Sequence, residues 1–352
     1  MKRGYASLPL HYGKAPRWLF SRMVTLSRTI VETILLDNSP GFIIEKLSDP
    51  FWFQSFGCIL GFDWHSSGLT TTVMGALKEA IRGINSGIFI AGGKGRTSRK
   101  TPDELRTIGE RTGINSDALI YISKITAKVD NNAIQDGYQL YHHNIIFDSY
   151  GNWGVIQQGM NTEKRMARRY HWLGKKVQDF VNEPHTGIIS DSFTNPLNLI
   201  AKESNKARSE ICNLSREKPD TLIKELNHLE ELKLPKRHQI FLKDMNSHRL
   251  YKIFLNTYER KAENFEKLLG MKGVGPKTIR ALSLLSELLY DISPSYKDPA
   301  RFSFAHGGKD GIPYPVDRET YENTINFLKV ALEKARIGET EKIKAFKRLN
   351  TI

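Results

Sequence analysis

Residues suited to phosphodiester chemistry concentrate in the first half of this chain. Asp136 stands in Gln135-Asp136-Gly137-Tyr138, just ahead of Tyr141-His142-His143, and Gln157-Gln158 follow after a short interval. A carboxylate, an imidazole and an amide on one sheet face can hold a phosphate, orient a water or ligate one divalent metal. Gly61-Phe62-Asp63-Trp64-His65-Ser66-Ser67-Gly68 adds Asp63 and His65 in a glycine-bounded turn. Gly92-Gly93-Lys94-Gly95-Arg96-Thr97-Ser98-Arg99-Lys100 adds four cations on a glycine loop. That loop suits phosphate contacts, although it lacks the G-x-x-x-x-G-K-S/T order of a P-loop. The candidate catalytic set here is Asp63, His65, Asp136, His143 and Gln158. Asp63, Asp136 and His143 are also the candidate ligands of a divalent metal, Mg or Mn, and Lys94 and Arg96 the candidate phosphate contacts. Each segment alone suits a plain turn, a satisfied core histidine or a solvated loop; their concentration in one stretch is what points to a site.

A second constellation lies far downstream, in Leu268-Leu269-Gly270-Met271-Lys272-Gly273-Val274-Gly275-Pro276-Lys277-Thr278-Ile279-Arg280-Ala281-Leu282. One helix ends at the first glycines, Gly273 and Gly275 allow a tight turn, and Pro276 opens a second helix in its first turn. Turn amides and that helix N-terminus form an anion site beside Lys277. The pattern resembles the helix-hairpin-helix motifs that grip a nucleic-acid backbone without reading bases. The resemblance implies DNA contacts at Lys272, Gly273, Gly275 and Lys277, with Lys272 standing where the family often has proline. Residues 262–330 also resemble the base-excision glycosylases of that superfamily, which implies a Schiff-base role for Lys277 and a cation-stabilising role for Asp317 in Pro315-Val316-Asp317. Those two are 40 positions apart, so an insertion must be looped out between them. Asp317 is equally placed to cap the helix that follows.

The elements that would position these groups are legible in part. Pro16 to Leu36 reads as a helix, Asp49 before Pro50 as a helix entry, and Thr70 to Arg82 as a helix ending near Gly83. Ile88 to Ala91 is a buried strand or an apolar knot. Leu119, Ile122, Ile125 and Val129 give residues 117–132 a helical period. Tyr138–Phe147 and Trp153–Gln158 read as strands of a hairpin around Asp148–Asn152. Pairing Asp148 with Trp153 sets His143 opposite Gln158, and gathers Tyr141, His143 and Gln158 on one face. Adjacent strand residues face opposite sides, so His142 and His143 cannot share one metal without distortion. Thr162–Val181 reads as a helix with an apolar stripe at Met166, Tyr170, Leu173, Val177 and Phe180. Its other face carries Lys164, Arg165, Arg168, His171, Trp172, Lys175 and Lys176, which makes Arg165 and Arg168 candidate DNA contacts.

Composition bounds the partner. The 352 residues carry 52 Lys and Arg against 38 Asp and Glu, a net charge of +14. Residues 1–182 hold 23 against 15 and residues 183–352 hold 29 against 23, so the excess is spread as +8 and +6. A polyanion is the expected partner. Two cysteines exclude a disulfide scaffold, the polar start with Pro9 and Pro16 is not expected to act as a signal peptide, and no apolar run approaches the roughly 20 residues that span a bilayer. The expected fold is α+β. A mixed domain over residues 1–190 carries the hairpin, and a helical DNA-binding domain over residues 191–352 carries the helix-hairpin-helix at 262–290.

Over essentially its whole length the chain resembles the domain-of-unknown-function family 763, through Gly57-Cys58-Ile59-Leu60-Gly61-Phe62-Asp63-Trp64-His65-Ser66-Ser67-Gly68, Gln135-Asp136-Gly137-Tyr138 and Phe304-Ala305-His306-Gly307-Gly308-Lys309-Asp310-Gly311. The resemblance supplies no activity. It implies a cytoplasmic protein of archaea and thermophilic bacteria, compatible with genome maintenance. The expected function is a DNA-binding, repair-type enzyme, a metal-assisted nuclease acting on the backbone. The alternatives are a glycosylase/lyase using Lys277 and Asp317, and a non-catalytic DNA-binding protein.

Overall fold

The computed structural model describes residues 8–10, 15–63, 65–82, 84–190, 193–231, 247–300 and 318–349. Four helices open it: α1 (Arg17–Asp37), α2 (Pro40–Ser48), α3 (Pro50–Ile59) and α4 (Ser67–Ile81). Asp49 caps α3 by accepting from the Trp52 amide at 2.8 Å, with Pro50 in the first turn as its sequence requires. Strand β1 (Ile88–Lys94) precedes α5 (Arg96–Arg99), α6 (Thr101–Thr112) and α7 (Ser116–Lys128), which runs into a π-helical turn at Val129–Ala133. The strands that follow are β2 (Ile134–Gln135), β3 (Gln139–Asp148), β4 (Trp153–Asn161), β5 (Met166–Leu173), β6 (Gly187–Ile189) and β7 (Leu197–Asn198). The second half is helical: α8 (Asn205–Leu214), α9 (Pro219–Glu231), α10 (Ser247–Arg260), α11 (Phe265–Gly270), α12 (Pro276–Tyr290), α13 (Arg318–Lys334) and α14 (Glu339–Leu349).

The chain is α+β. An antiparallel sheet in the order β1-β3-β4-β5-β6 lies between two helical layers, and β2 pairs with β7 in a small second sheet. Period-two alternation divides the sheet's apolar residues between the layers. Ile145, Phe147, Val155, Tyr170 and Trp172 pack with Leu105 and Ile125 and also with Ile211, Phe254, Leu268 and Leu285. Ile146, Ile156 and Leu173 pack with α1 to α4 and with Leu328, Leu332 and Leu349 of the last two helices. On both sheet faces, buried apolar contact therefore joins residues that precede 190 with residues that follow 191.

Two sequence expectations need correction. Residues 162–181 are not a helix: a turn with Arg165 at φ 54° leads into strand β5, and Gly174–Lys176 is a single 3-10 turn. The i, i+4, i+7 stripe misleads because β5 is central and almost wholly buried on both faces, so its polar residues do not alternate outward. Arg168, Arg169, His171 and Trp172 are interior. The hairpin register is also shifted. Phe147, not Asp148, pairs with Trp153, and the same register sets His143 opposite Gln157 and His142 opposite Gln158; an irregularity between Leu140 and His142 then sets Leu140 opposite Gly159. The cause is the turn, where the Asp148 carboxylate accepts from the Tyr150 amide, the Asn152 amide and the Asn152 side chain at 2.7 to 3.0 Å. Asp148 thereby ends β3, paired with Ile88 of β1, while its carboxylate organises the turn.

Candidate nucleic-acid interface

The turn between α11 and α12 is built by its glycines. Gly273 takes φ 91°, a backbone region costly for residues with a Cβ, and Pro276 starts α12. Val274, Ile279 and Leu282 are buried, while Lys272, Gly273 and Lys277 are exposed. The turn is clamped from below: Lys128 Nζ donates to the Val274 carbonyl, Gln135 Nε2 to the Pro276 carbonyl at 2.8 Å, and Asn256 Nδ2 to the Lys272 carbonyl at 3.2 Å. Arg280 in turn donates to Gln135 Oε1 at 2.6 Å. Three carbonyls of the turn, those of Lys272, Val274 and Pro276, are thus taken by side-chain donors. Among the described residues, the Gly273 and Gly275 amides donate to no backbone carbonyl.

Beside the turn runs an open groove of about 580 Å³ between α7 and Gly270–Gly275, with Tyr121, Lys124 and Lys128 along it. Burial lowers the pKa of Lys128, whose ammonium is tied to the turn. Lys124 is exposed. The groove brings together three things: the exposed Lys124, a turn whose Gly273 and Gly275 amides have no backbone acceptor among the described residues, and an aromatic ring. A chain of phosphates meets complementary charge and donors there.

The polar residues of the hairpin lie elsewhere and divide between the two sheet faces. On the α7 side, His143 Nδ1 meets Gln157 Oε1 at 2.9 Å and its Nε2 meets Ser123 Oγ at 2.8 Å. Gln157 Nε2 donates to Asp130 Oδ2 at 2.6 Å, which also accepts from Trp172 Nε1 at 3.0 Å, and His185 Nε2 lies 2.5 Å from Asp130 Oδ1. Burial lowers the His143 pKa against the opposing pull of Gln157 and Asp130. Farther along β5, Asp136 accepts from Arg168 and from Tyr170 Oη, both at 2.8 Å, and Arg168 also pairs with Asp298 at 2.9 Å. His185 and Asp298 border a polar cavity of about 270 Å³.

On the opposite face, Gln158 is held by the Thr70 hydroxyl, the Ser67 carbonyl at 2.9 Å and Tyr141 Oη at 2.5 Å. This does join Tyr141 and Gln158 to the Gly61–Thr70 segment. His143, however, points to the other side. Arg169 is fully buried and reaches Gln54 at 2.8 Å and Thr70 at 3.2 Å; burial lowers its pKa to about 9. The Gly92-Gly93-Lys94 run is strand rather than loop, and Gly92 is required there: at φ 101°, a Cβ would fall 2.2 Å from the His143 carbonyl oxygen. Lys94 and Arg96 lie exposed at its end.

The residues nominated from sequence are therefore dispersed. Asp63 and His65 are exposed in the turn before α4, whereas Asp136, His143 and Gln158 are buried and engaged. Among the described residues no group of three or more His, Cys, Asp or Glu is arranged to hold a metal ion, so Asp63, Asp136 and His143 are not assembled as one site. Arg168 is interior and committed to two carboxylates, so it is unavailable to DNA; Arg165 sits in the β4–β5 turn. Lys272, Gly273, Gly275 and Lys277 are together, as their contiguity dictates. Asp317, Trp64 and the 304–311 glycine loop lie outside the described residues. Sequence reasoning missed Tyr121, Lys124 and Lys128, which carry the same i, i+3, i+7 spacing as any solvated helix face. It also missed Asp130, His185 and Asp298, which no local motif links. Among the described residues no helix is long and apolar enough to cross a membrane.

A family model described as a protein of unknown function, DUF763, matches residues 4–316. No curated protein and no solved structure matches the chain.

Proposed function

For a chain that belongs to the domain-of-unknown-function family 763, we propose a function read from its own surface: it binds DNA through the backbone, at the turn between α11 and α12. The observation that carries this reading is the turn's clamping. With three of its carbonyls taken by Lys128, Gln135 and Asn256, it keeps the Gly273 and Gly275 amides free of backbone acceptors among the described residues at the N-terminus of α12, on the same turn as the exposed Lys272 and Lys277. That arrangement suits phosphate oxygens and reads no base edge. The dispersed net charge of +14 supports the same partner. Titrating a labelled oligonucleotide with the protein, followed by anisotropy, tests it; Lys124→Ala and Lys272→Ala should each weaken binding, and the absence of any DNA binding at low salt would sink the reading.

A repair-type reaction belongs to the same proposal. Of the two chemistries, the lyase has the better support, because Lys277 is exposed in the first turn of α12 while Asp136 and His143 are buried and hydrogen-bonded. An amine nucleophile attacks C1′ of the sugar as the bond to the base breaks and the base leaves, and ring opening then gives the Schiff base. At an abasic site the amine condenses with the C1′ aldehyde with loss of water. Either route needs access to the strand. Borohydride trapping on DNA containing abasic sites, lost in Lys277→Ala, tests it; cleavage of undamaged DNA that EDTA abolishes would favour the metal-assisted nuclease instead.

A further inference from the structure

The groove beside the turn has a floor that phosphate alone does not call for. Ile125, Ala127, Leu140 and Val274 line it, with Lys124 at its rim. At its mouth Tyr121 is 37% exposed. The ring is fixed: its hydroxyl donates to Glu266, Lys267 Nζ stands 5.1 Å from its centroid, and the Phe180 ring meets it edge-on at 6.3 Å. Gln139 borders the groove, is exposed, and has no side-chain partner among the described residues.

We propose that the groove takes unpaired nucleobases, so that the preferred ligand is single-stranded rather than duplex DNA; this rests on backbone binding at the neighbouring turn. The charge pattern selects a polyanion, and the apolar floor selects a polyanion whose flat rings are free of their stack. In a duplex those rings are covered by their neighbours, and only edges and phosphates reach a protein surface. In a single strand every base has a free face for an aromatic or aliphatic wall. A base carries donors and acceptors on its edge, which the Gln139 amide can meet without choosing among the four. Lys124 and the turn then hold phosphates on the groove's rim.

The test compares one labelled oligonucleotide in three forms: single strand, duplex, and single strand with central abasic sites, all titrated by anisotropy at one salt concentration. The single strand should bind about tenfold more tightly than either other form, the scale of stacking one or two bases. Ala127→Trp, which fills the groove, should bring the single strand down to the duplex level and leave duplex binding unchanged. Gln139→Ala, at an exposed position that the fold does not need, should weaken the single strand alone. Equal binding of all three forms, or single-strand binding indifferent to both substitutions, overturns the inference while leaving backbone binding intact. Failure to bind any form removes the backbone reading and this inference with it.

Discussion

Arg168 Nη1 lies 2.8 Å from Asp136 Oδ2, and both side chains are fully buried. The pair joins β5 to the β2–β3 connection, where Asp298 holds the other guanidinium nitrogen at 2.9 Å and Tyr170 donates to the same Asp136 oxygen. Burial opposes the charge on Arg168, but the two carboxylates outweigh it and raise its pKa above the ordinary value. Asp136 thus acts as a fold determinant that ties the β2–β3 connection to β5.

Removing Asp136 takes one of two carboxylates from the buried Arg168, which keeps Asp298, and leaves the Tyr170 hydroxyl without its acceptor. Asp136→Ala should therefore destabilise the protein by about 2–3 kcal/mol, the scale of losing buried hydrogen bonds to a charged group, measured by denaturant or thermal unfolding. If Asp136→Ala melted like the parent protein while abolishing a DNA reaction, a catalytic carboxylate would be the better description.

Acid should destabilise the fold from about pH 6.5 downward. Burial lowers the pKa of His142 to about 3, helped by His143, Lys94 and Lys78, and burial also lowers the values of His143 and His171. In each case the unfolded chain binds a proton that the folded chain refuses. The stability from these groups is present above the unfolded value and is lost as pH falls toward the folded one, at about 1.4 kcal/mol per pH unit for each histidine. Neither ring nitrogen of His142 has a hydrogen-bond partner among the described residues, so His142→Phe should flatten the slope. Melting temperatures from pH 7 to pH 4 check it, and an unchanged slope would reassign the effect.

Gly92→Ala should be among the most damaging single substitutions. Its methyl would collide with the His143 carbonyl at 2.2 Å and force a non-glycine residue to φ 101°. A loss of more than about 3 kcal/mol is expected, since the clash is with backbone that cannot yield without breaking the β1–β3 pairing. Gly95→Ala, three residues on, meets nothing within 4 Å and has only its backbone, at φ 61° and ψ −121°, against it, so it should cost less, about 1–2 kcal/mol. Equal stability of the two variants would remove the case that this glycine run is a strand.

The sequence showed its elements wherever one face met water. The helical period of α7, the cap at Asp49 and the Gly-Val-Gly-Pro turn are local patterns, and each is found where it was expected. Strand β5 was hidden because it is buried on both faces and carries two arginines that read as surface cations; only their partners, at residues 54, 70, 136 and 298, make the interior tolerable for them. The hairpin register failed by one residue, which sends every side chain to the wrong face. That slip is why Tyr141, His143 and Gln158 looked like one site. Asp130 and His185 meet across 55 positions, a pairing that no spacing rule announces.

Backbone binding at the turn is tested most directly by the salt dependence of DNA affinity. The protein as it stands should show a log–log slope set by the phosphates it neutralises, and Lys124→Ala and Lys272→Ala, both at exposed positions, should each reduce that slope by about one while the melting temperature stays put. If both variants kept the full slope and the full affinity, DNA would be held somewhere other than the turn between α11 and α12.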